Sequence, residues 1–262
     1  MEETVFQEGL NASHFLWNGD FHGIHQFPEQ IPIHISDWSL IRGKRLGIMA
    51  EQAIIQSFQK HPDYTFLGAN IQINSEQQTL GELDVILKQG ERIIHLEICY
   101  KFYLYDAKFE HSEIPYWIGP NRKDSLAEKV QKIRDRQFPL IQSPEAQSKL
   151  NLPKELQVSQ YSYFLAELFT PEQFDISKQH SINNKCIRGH FYRLEELYKF
   201  SNDRFHILEK RDWINTPHRQ APWLTYREFM VLAQTSINDR KSLLYWRMDS
   251  EQKIHKSFVC WW

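Results

Sequence analysis

The stretch LGELDVILKQGERIIHLEICYKFYL, from Leu80 to Leu104, decides how this chain folds. It reads as two strands, Leu80 to Lys88 and Arg92 to about Leu104, joined at Gln89-Gly90, where glycine supplies the permissive backbone of a tight turn. Side chains alternate faces along a strand. Leu83, Val85 and Leu87 therefore share one face of the first strand, and Glu82, Asp84 and Ile86 the other. In the second strand Ile94, Leu96, Ile98 and Tyr100 oppose His95, Glu97, Cys99 and Lys101. A turn at Gln89-Gly90 pairs Lys88 with Glu91, which sets Asp84 opposite His95 and Glu82 opposite Glu97. Both apolar faces then coincide, as the hydrophobic pattern of a hairpin requires.

The other face gathers Glu82, Asp84, His95, Glu97 and Lys101. Like charges across a strand pair destabilise it, so three carboxylates there call for a cation. Oxygen donors of this kind suit Mg²⁺, Mn²⁺ or Ca²⁺ better than zinc. The bland reading is the solvated side of an amphipathic hairpin. Against it stands the bulk of Tyr100, Phe102, Tyr103 and Leu104, which marks a central strand covered on both sides.

Working outward, apolar positions at helical spacing predict a helix from Gly43 to Lys60, ended by His61-Pro62. Glu51 lies in its row of Gly47, Ile48, Ile55 and Phe58. It is either a rim residue with its head in water or a further acid pointing from the helix toward the carboxylate cluster. A strand follows over Phe66–Asn74. Ser125-x-x-Glu128 is a capping box opening a second helix, about Asp124–Gln137, closed by Pro139. Gln157–Phe169 reads as a further strand. Beyond it, strands are expected at Lys185–Tyr192, Arg204–Ile214, Leu243–Met248 and Lys256–Trp262. Thr225-x-x-Glu228 caps a short helix to about Gln234. Residues 1–40 are aromatic and broken by Pro28 and Pro32. They form an expected wrap with Phe15, Leu16, Trp17, Ile33, Ile35 and Trp38 packing. The expected organisation is thus a wrap (1–40), an α/β core (41–170) and a β-rich extension (171–262).

Composition sets the bounds. The chain has 262 residues, 41% hydrophobic and 24% charged, with 31 Lys+Arg against 33 Asp+Glu and a net charge of −2. A chain of this size builds a core without disulfides. The balance excludes a disordered tail and a globally basic binder. No run approaches the roughly 20 apolar residues of a membrane span, and the N-terminus lacks a signal-peptide pattern. Three distant cysteines without a C-x-x-C suit a reducing, cytoplasmic compartment and argue against a cysteine zinc site. Neither a dinucleotide fingerprint nor a P-loop is present.

Gly47-x-x-x-Glu51, Gly81-Glu-Leu-Asp84 and the strand carrying Glu97 and Lys101, in the order helix, three strands, helix, strand, resemble the PD-(D/E)XK nuclease superfamily with its restriction-endonuclease-like core. More narrowly, Leu80–Leu87, His95–Leu104, Trp117-Ile-Gly-Pro-Asn121 and Phe205–Trp213 resemble a bacterial family known as domain of unknown function 1853. The broader resemblance implies a divalent-metal-dependent nuclease. Asp84 and Glu97 would bind Mg²⁺ or Mn²⁺ with help from the Ile98 carbonyl. Lys101 would orient a water, and Glu51 would hold a metal-bound water or a second ion. Metal polarises the phosphate and lowers the pKa of bound water.

One departure matters. The superfamily places its lysine two residues after the glutamate, where this chain has Cys99. Lys101 comes four residues after, roughly 13 Å along the strand. A bulge could bring it back, His95 could fill the role, or the role is vacant. The alternative function is accordingly a degenerate module that binds nucleic acid or a protein without cutting.

Lys129, Lys132 and Arg136 recur at spacings of three and four. They would line one helix face as phosphate contacts, for DNA or RNA, or merely face water. Trp117–Asn121 and Lys210-Arg-Asp-Trp213 are read either as base-stacking turns or as packing. Oligomeric state has no signature in the chain.

Overall fold

The hairpin forms, with its register displaced by two. β-strand pairing runs Val85↔Leu96, Ile86↔His95, Leu87↔Ile94, Lys88↔Ile93 and Gln89↔Arg92, so the turn is Gly90-Glu91 and not Gln89-Gly90. Gly90 has φ +58° and Glu91 is not left-handed, the pattern of a turn with glycine in its first central position. A slip of two keeps every residue of the second strand on its expected face. It also brings Asp84, not Glu82, level with Glu97.

The computed structural model describes residues 2–41, 45–76, 78–108, 114, 116–151, 157–175 and 181–262. In chain order the elements are α1 (Glu2–Asn11), β1 (His14–Phe15), β2 (Asp20–Phe21), β3 (Ile24–His25), α2 (Leu46–Gln59), β4 (Thr65–Asn74), β5 (Thr79–Gln89), β6 (Arg92–Tyr105), β7 (Trp117–Ile118) and α3 (Leu126–Lys132). A π-helical turn (Ile133–Gln137) leads into α4 (Phe138–Leu140), followed by α5 (Pro144–Leu150), β8 (Val158–Thr170), β9 (Ile187–Arg193), β10 (Arg204–Ile207), β11 (Leu224–Thr225), α6 (Tyr226–Asn238), β12 (Leu243–Met248) and β13 (Ile254–Cys260). The expected helix start at Gly43 lies outside the described residues.

This is a mixed α/β fold on one large mixed sheet. The strand order is β11-β10-β12-β13-β9-β8-β6-β5-β4, with β1 against β8 and β7 against β6. β4, β5 and β6 are antiparallel, whereas β8 is parallel to β6 over twelve residue pairs, Ile93↔Val158 to Leu104↔Phe169. The sheet does not stop where the extension begins: β9 runs parallel to β8, and β13 parallel to β9.

β6 is covered on both faces, as its bulk predicts. Ile94, Leu96, Ile98 and Tyr100 join α2 and the N-terminal segment in one core. Cys99 and Tyr103 pack with Leu126, Val130 and Ile133 on the other side. Leu83 departs from the expected row. It packs with Ile73, Ile86, Ile93 and Ile141, while Val85 and Leu87 stay in the first core. The cause is local: β5 pairs with β6 only from Val85 onward, and Asn70, level with Asp84 on β4, is left-handed at φ +51°.

Other expectations shift for physical reasons. Pro139 does not end the second helix. The Phe138 N–H bonds Ile133 O, five residues back. Such a widened turn relieves the clash a proline ring makes with the carbonyl four residues before it. The strand expected over Arg204–Ile214 ends at Ile207, and Lys210–Asp212 is a 3₁₀ turn. The capping box at Thr225 and Glu228 forms in full. At the first, Ser125 Oγ accepts from Glu128 N, but Glu128 takes the Ser125 hydroxyl and not its backbone N–H, so that box closes on one side only. Trp117 and Trp213 are buried, which decides for packing in both segments.

Gly189 sits where β9 and β13, both beyond residue 170, pair with each other. A Cβ there would lie 1.9 Å from the Lys256 carbonyl oxygen, a backbone atom of the neighbouring strand. Gly189→Ala is therefore expected to cost at least about 1–3 kcal/mol, read as a lower midpoint in denaturant melts. An unchanged midpoint would show that β9 and β13 part without penalty.

Candidate active site

The two acids singled out in the hairpin meet. Glu97 lies on the central strand with its side chain fully buried, and Asp84 sits half-buried beside it. Asp84 Oδ2 accepts a hydrogen bond from Ile98 N at 2.9 Å, and its carboxyl group is within hydrogen-bonding reach of Glu97. Glu97 Oε1 is 3.0 Å from His95 Nε2, and its Oε2 accepts from Gln137 Nε2. Behind the histidine, Gln160 Nε2 lies 3.3 Å from His95 Nδ1 and donates to Phe138 O. With Nδ1 as acceptor, His95 carries its proton on Nε2 and gives that hydrogen bond to Glu97. Burial holds the His95 pKa down at about 4. The imidazole is thus neutral and positions the carboxylate.

Burial also raises the pKa of Asp84, and the Glu97 charge adds to it; burial raises Glu97 as well. Glu51 faces this pair from α2. Burial pushes its pKa up to about 7, with contributions from Asp84 and Glu82. Glu82 itself is exposed. The acids therefore share one field, and α3 answers it. Burial works against the charge of Lys129, but Cys99, Glu97 and Asp84 outweigh that and raise its pKa. The Cys99 thiol is pushed up to about 11 by burial and stays neutral, so the carboxylates hold the lysine's charge. Lys129 Nζ also donates to Gln137 Oε1 at 3.0 Å.

Lys101 is elsewhere. Its Nζ pairs with Asp124 Oδ2 at 2.7 Å, in a partly exposed ion pair. Of the three cations expected on one helix face, Lys129 turns into the cluster, while Lys132 and Arg136 are exposed. Residues that the sequence did not nominate complete the surroundings: Gln137 over Glu97, and Gln160 behind His95. Gln137 owes its place to the π turn, which no periodicity count reveals. Gln160 is level with His95 on the parallel neighbour β8, a pairing that only topology supplies.

Among the described residues, no three His, Cys, Asp or Glu side chains converge as a full metal-ligand set. Two carboxylates do meet, which matches how Mg²⁺ is held, through one or two carboxylates with water filling the other positions. A cavity of about 510 Å³ lies elsewhere, at the seam of α1, β9 and β13.

A family model matches residues 23–257, nearly the whole chain. The protein belongs to the DUF1853 family, a domain of unknown function. No curated protein and no solved structure is matched. Among the described residues of this DUF1853 protein, no helix is long and apolar enough to cross a membrane.

The carboxylates carry a pH signature. Glu51, Asp84 and Glu97 bind protons more tightly folded than unfolded, so their contribution to stability is complete below the ordinary carboxylate range and is lost as pH rises toward 7. His95 acts in the opposite sense, its contribution growing as pH rises from about 4 to its ordinary value. Three groups outweigh one. Metal-free DUF1853 protein is expected to melt roughly 5 °C lower at about pH 8 than at about pH 5.5. If a divalent ion takes the ionised pair, millimolar Mn²⁺ is expected to restore the difference. A flat profile with no Mn²⁺ effect would mean that the acids do not interact as described.

Proposed function

We propose that this protein is a divalent-metal-dependent nuclease with a restriction-endonuclease-like core, hydrolysing phosphodiester bonds of DNA or RNA at the Asp84–Glu97 pair. The observation that carries the reading is the meeting of half-buried Asp84, fixed by Ile98 N, with the fully buried Glu97, and Lys129 turned toward them through Gln137. The order α2, three antiparallel strands, the α3 segment and a strand parallel to the central one supports it.

In this mechanism Asp84 and Glu97 hold Mg²⁺ or Mn²⁺. Bound there, the ion supplies positive charge to the phosphate under attack. Lys129 takes the role expected of a lysine two residues after the glutamate, where Cys99 stands. It reaches the site from α3 and offsets charge that builds on the phosphate oxygens. Glu51, with its pKa at about 7, holds the attacking water and accepts its proton near neutral pH. His95 and Gln137 orient Glu97.

A second reading, a module that binds without cutting, is favoured by one observation: both oxygens of Glu97 already accept hydrogen bonds, from His95 and Gln137. The test separates the two. Labelled single- and double-stranded DNA and RNA are incubated with the protein in Mg²⁺ or Mn²⁺. Cleavage that a chelator stops is the expected result; binding without cleavage of any substrate would leave the second reading. Lys129→Met is expected to slow cleavage about 100-fold while keeping the Mn²⁺-induced rise in melting temperature. An unchanged rate would remove Lys129 from the mechanism.

A further inference from the structure

A cleft of about 300 Å³ opens between the start of α2, the end of β6 and the turn before α3. Four cations line it, Arg45, Lys101, Lys123 and Lys210, against one acid, Asp124. Among the described residues, Lys101 alone of the four has a carboxylate partner, and that is Asp124. Among the described residues Arg45, Lys123 and Lys210 form no ion pair, and all three are exposed. In a chain of net charge −2, four positive groups around one cleft leave a local excess that needs an outside anion. The first turn of α2, Leu46 and Gly47, forms part of the same wall, and no side chain caps it.

Three elements run from this cleft into the acidic cluster. On α2, Gly47 lines the cleft and Glu51 lies one turn on. On β6, Lys101 lines it, with Glu97 four residues back on the same face. The third link is Lys123 and Asp124, which precede α3 and its Lys129. The distance along β6 is roughly 13 Å, so an anion in the cleft lies beside the carboxylates without touching them. A single small anion would use only part of such a lining. A polyanion with evenly spaced charges uses all of it and continues past Glu97.

We infer that the cleft bounded by Arg45, Lys101, Lys123 and Lys210 grips the sugar–phosphate backbone of a nucleic-acid strand and leads it to the carboxylate pair. The strand's fate at that pair rests on the nuclease reading above; the grip does not.

The test uses the full chain, a chelator to prevent cleavage, and fluorescein-labelled DNA as a single strand and as a duplex. Binding is measured across a salt series for wild type, for Lys123→Ala/Lys210→Ala, and for Lys241→Ala as a control in an exposed pair with Asp239. The double variant is expected to bind about 10-fold more weakly or worse, and its slope of log K against log salt should fall by about 1.5. The control should match wild type. Unchanged affinity, or weaker binding with an unchanged slope, overturns the grip, as does a wild type that binds no DNA. Cleavage separates the two ideas. A double variant that cuts with wild-type KM defeats the cleft and leaves the nuclease. A wild type that binds through these lysines and cuts nothing defeats the nuclease and leaves the cleft.

Discussion

Asp84→Asn is expected to lower phosphodiester cleavage by about 10³-fold and to leave the protein as stable as wild type or more so. The first effect follows, on the nuclease reading, from removing one of the two carboxylates proposed to hold the metal, where among the described residues no third ligand converges with them. The second follows from the burial and the neighbouring charge that raise the Asp84 pKa. Asp84 and Glu97 repel each other while ionised, so a neutral amide relieves strain at neutral pH, and its oxygen still accepts from Ile98 N. Glu97→Gln should abolish activity equally but cost about 1–3 kcal/mol. Its new N–H₂ must face either His95 Nε2–H or the Gln137 amide, donor against donor. The pair of variants thus gives one loss of activity with two opposite stability changes. Cleavage by Asp84→Asn at the wild-type rate would end the nuclease reading. Two equal stability changes would mean that Glu97 is not held as described.

Lys256→Ala is expected to destabilise the protein by about 3–5 kcal/mol, among the largest effects of any single substitution here. Lys256 Nζ lies 2.6 Å from Glu167 Oε2, and both residues are buried. Glu167 Oε1 accepts from the Tyr100 hydroxyl at 3.0 Å, and that hydroxyl meets Ser13 Oγ at 3.1 Å. Removing the lysine leaves a carboxylate buried with one neutral donor. The double variant Glu167→Gln/Lys256→Met should recover most of the loss, because replacing both charges avoids a stranded ion. Denaturant melts of the three proteins check this. If the double variant is no more stable than Lys256→Ala, the stranded charge is not the cause.

The two strands of the hairpin and the meeting of Asp84 with Glu97 were legible from alternation alone, because a two-residue error in register preserves parity. Ile94, Leu96 and Ile98 fell where periodicity put them. The packing of Leu83 did not, since a bend where β5 leaves β6 is a property of two strands together. α1 was missed for a different reason. Its buried Phe6 and Leu10 are a single pair at helical spacing, too short a pattern to separate from an irregular wrap. The partner of Lys101 was hidden as well. Asp124 stands 23 residues away and meets the strand only through the fold. Lys129 was visible as a cation on a helix, but which way that helix turns depends on residues packed beneath it.

The π turn at Ile133–Gln137 has an evolutionary corollary. It contains one residue more than an α-helical turn needs, and Gln137 reaches Glu97 because of it. Losing that residue would restore α geometry and swing the amide by about 100° around the axis. A one-codon deletion would therefore take Gln137 away from Glu97 without changing any acid or lysine around it. In any relative, an alignment gap in this stretch would bear on Glu97 as directly as a substitution of the acid itself.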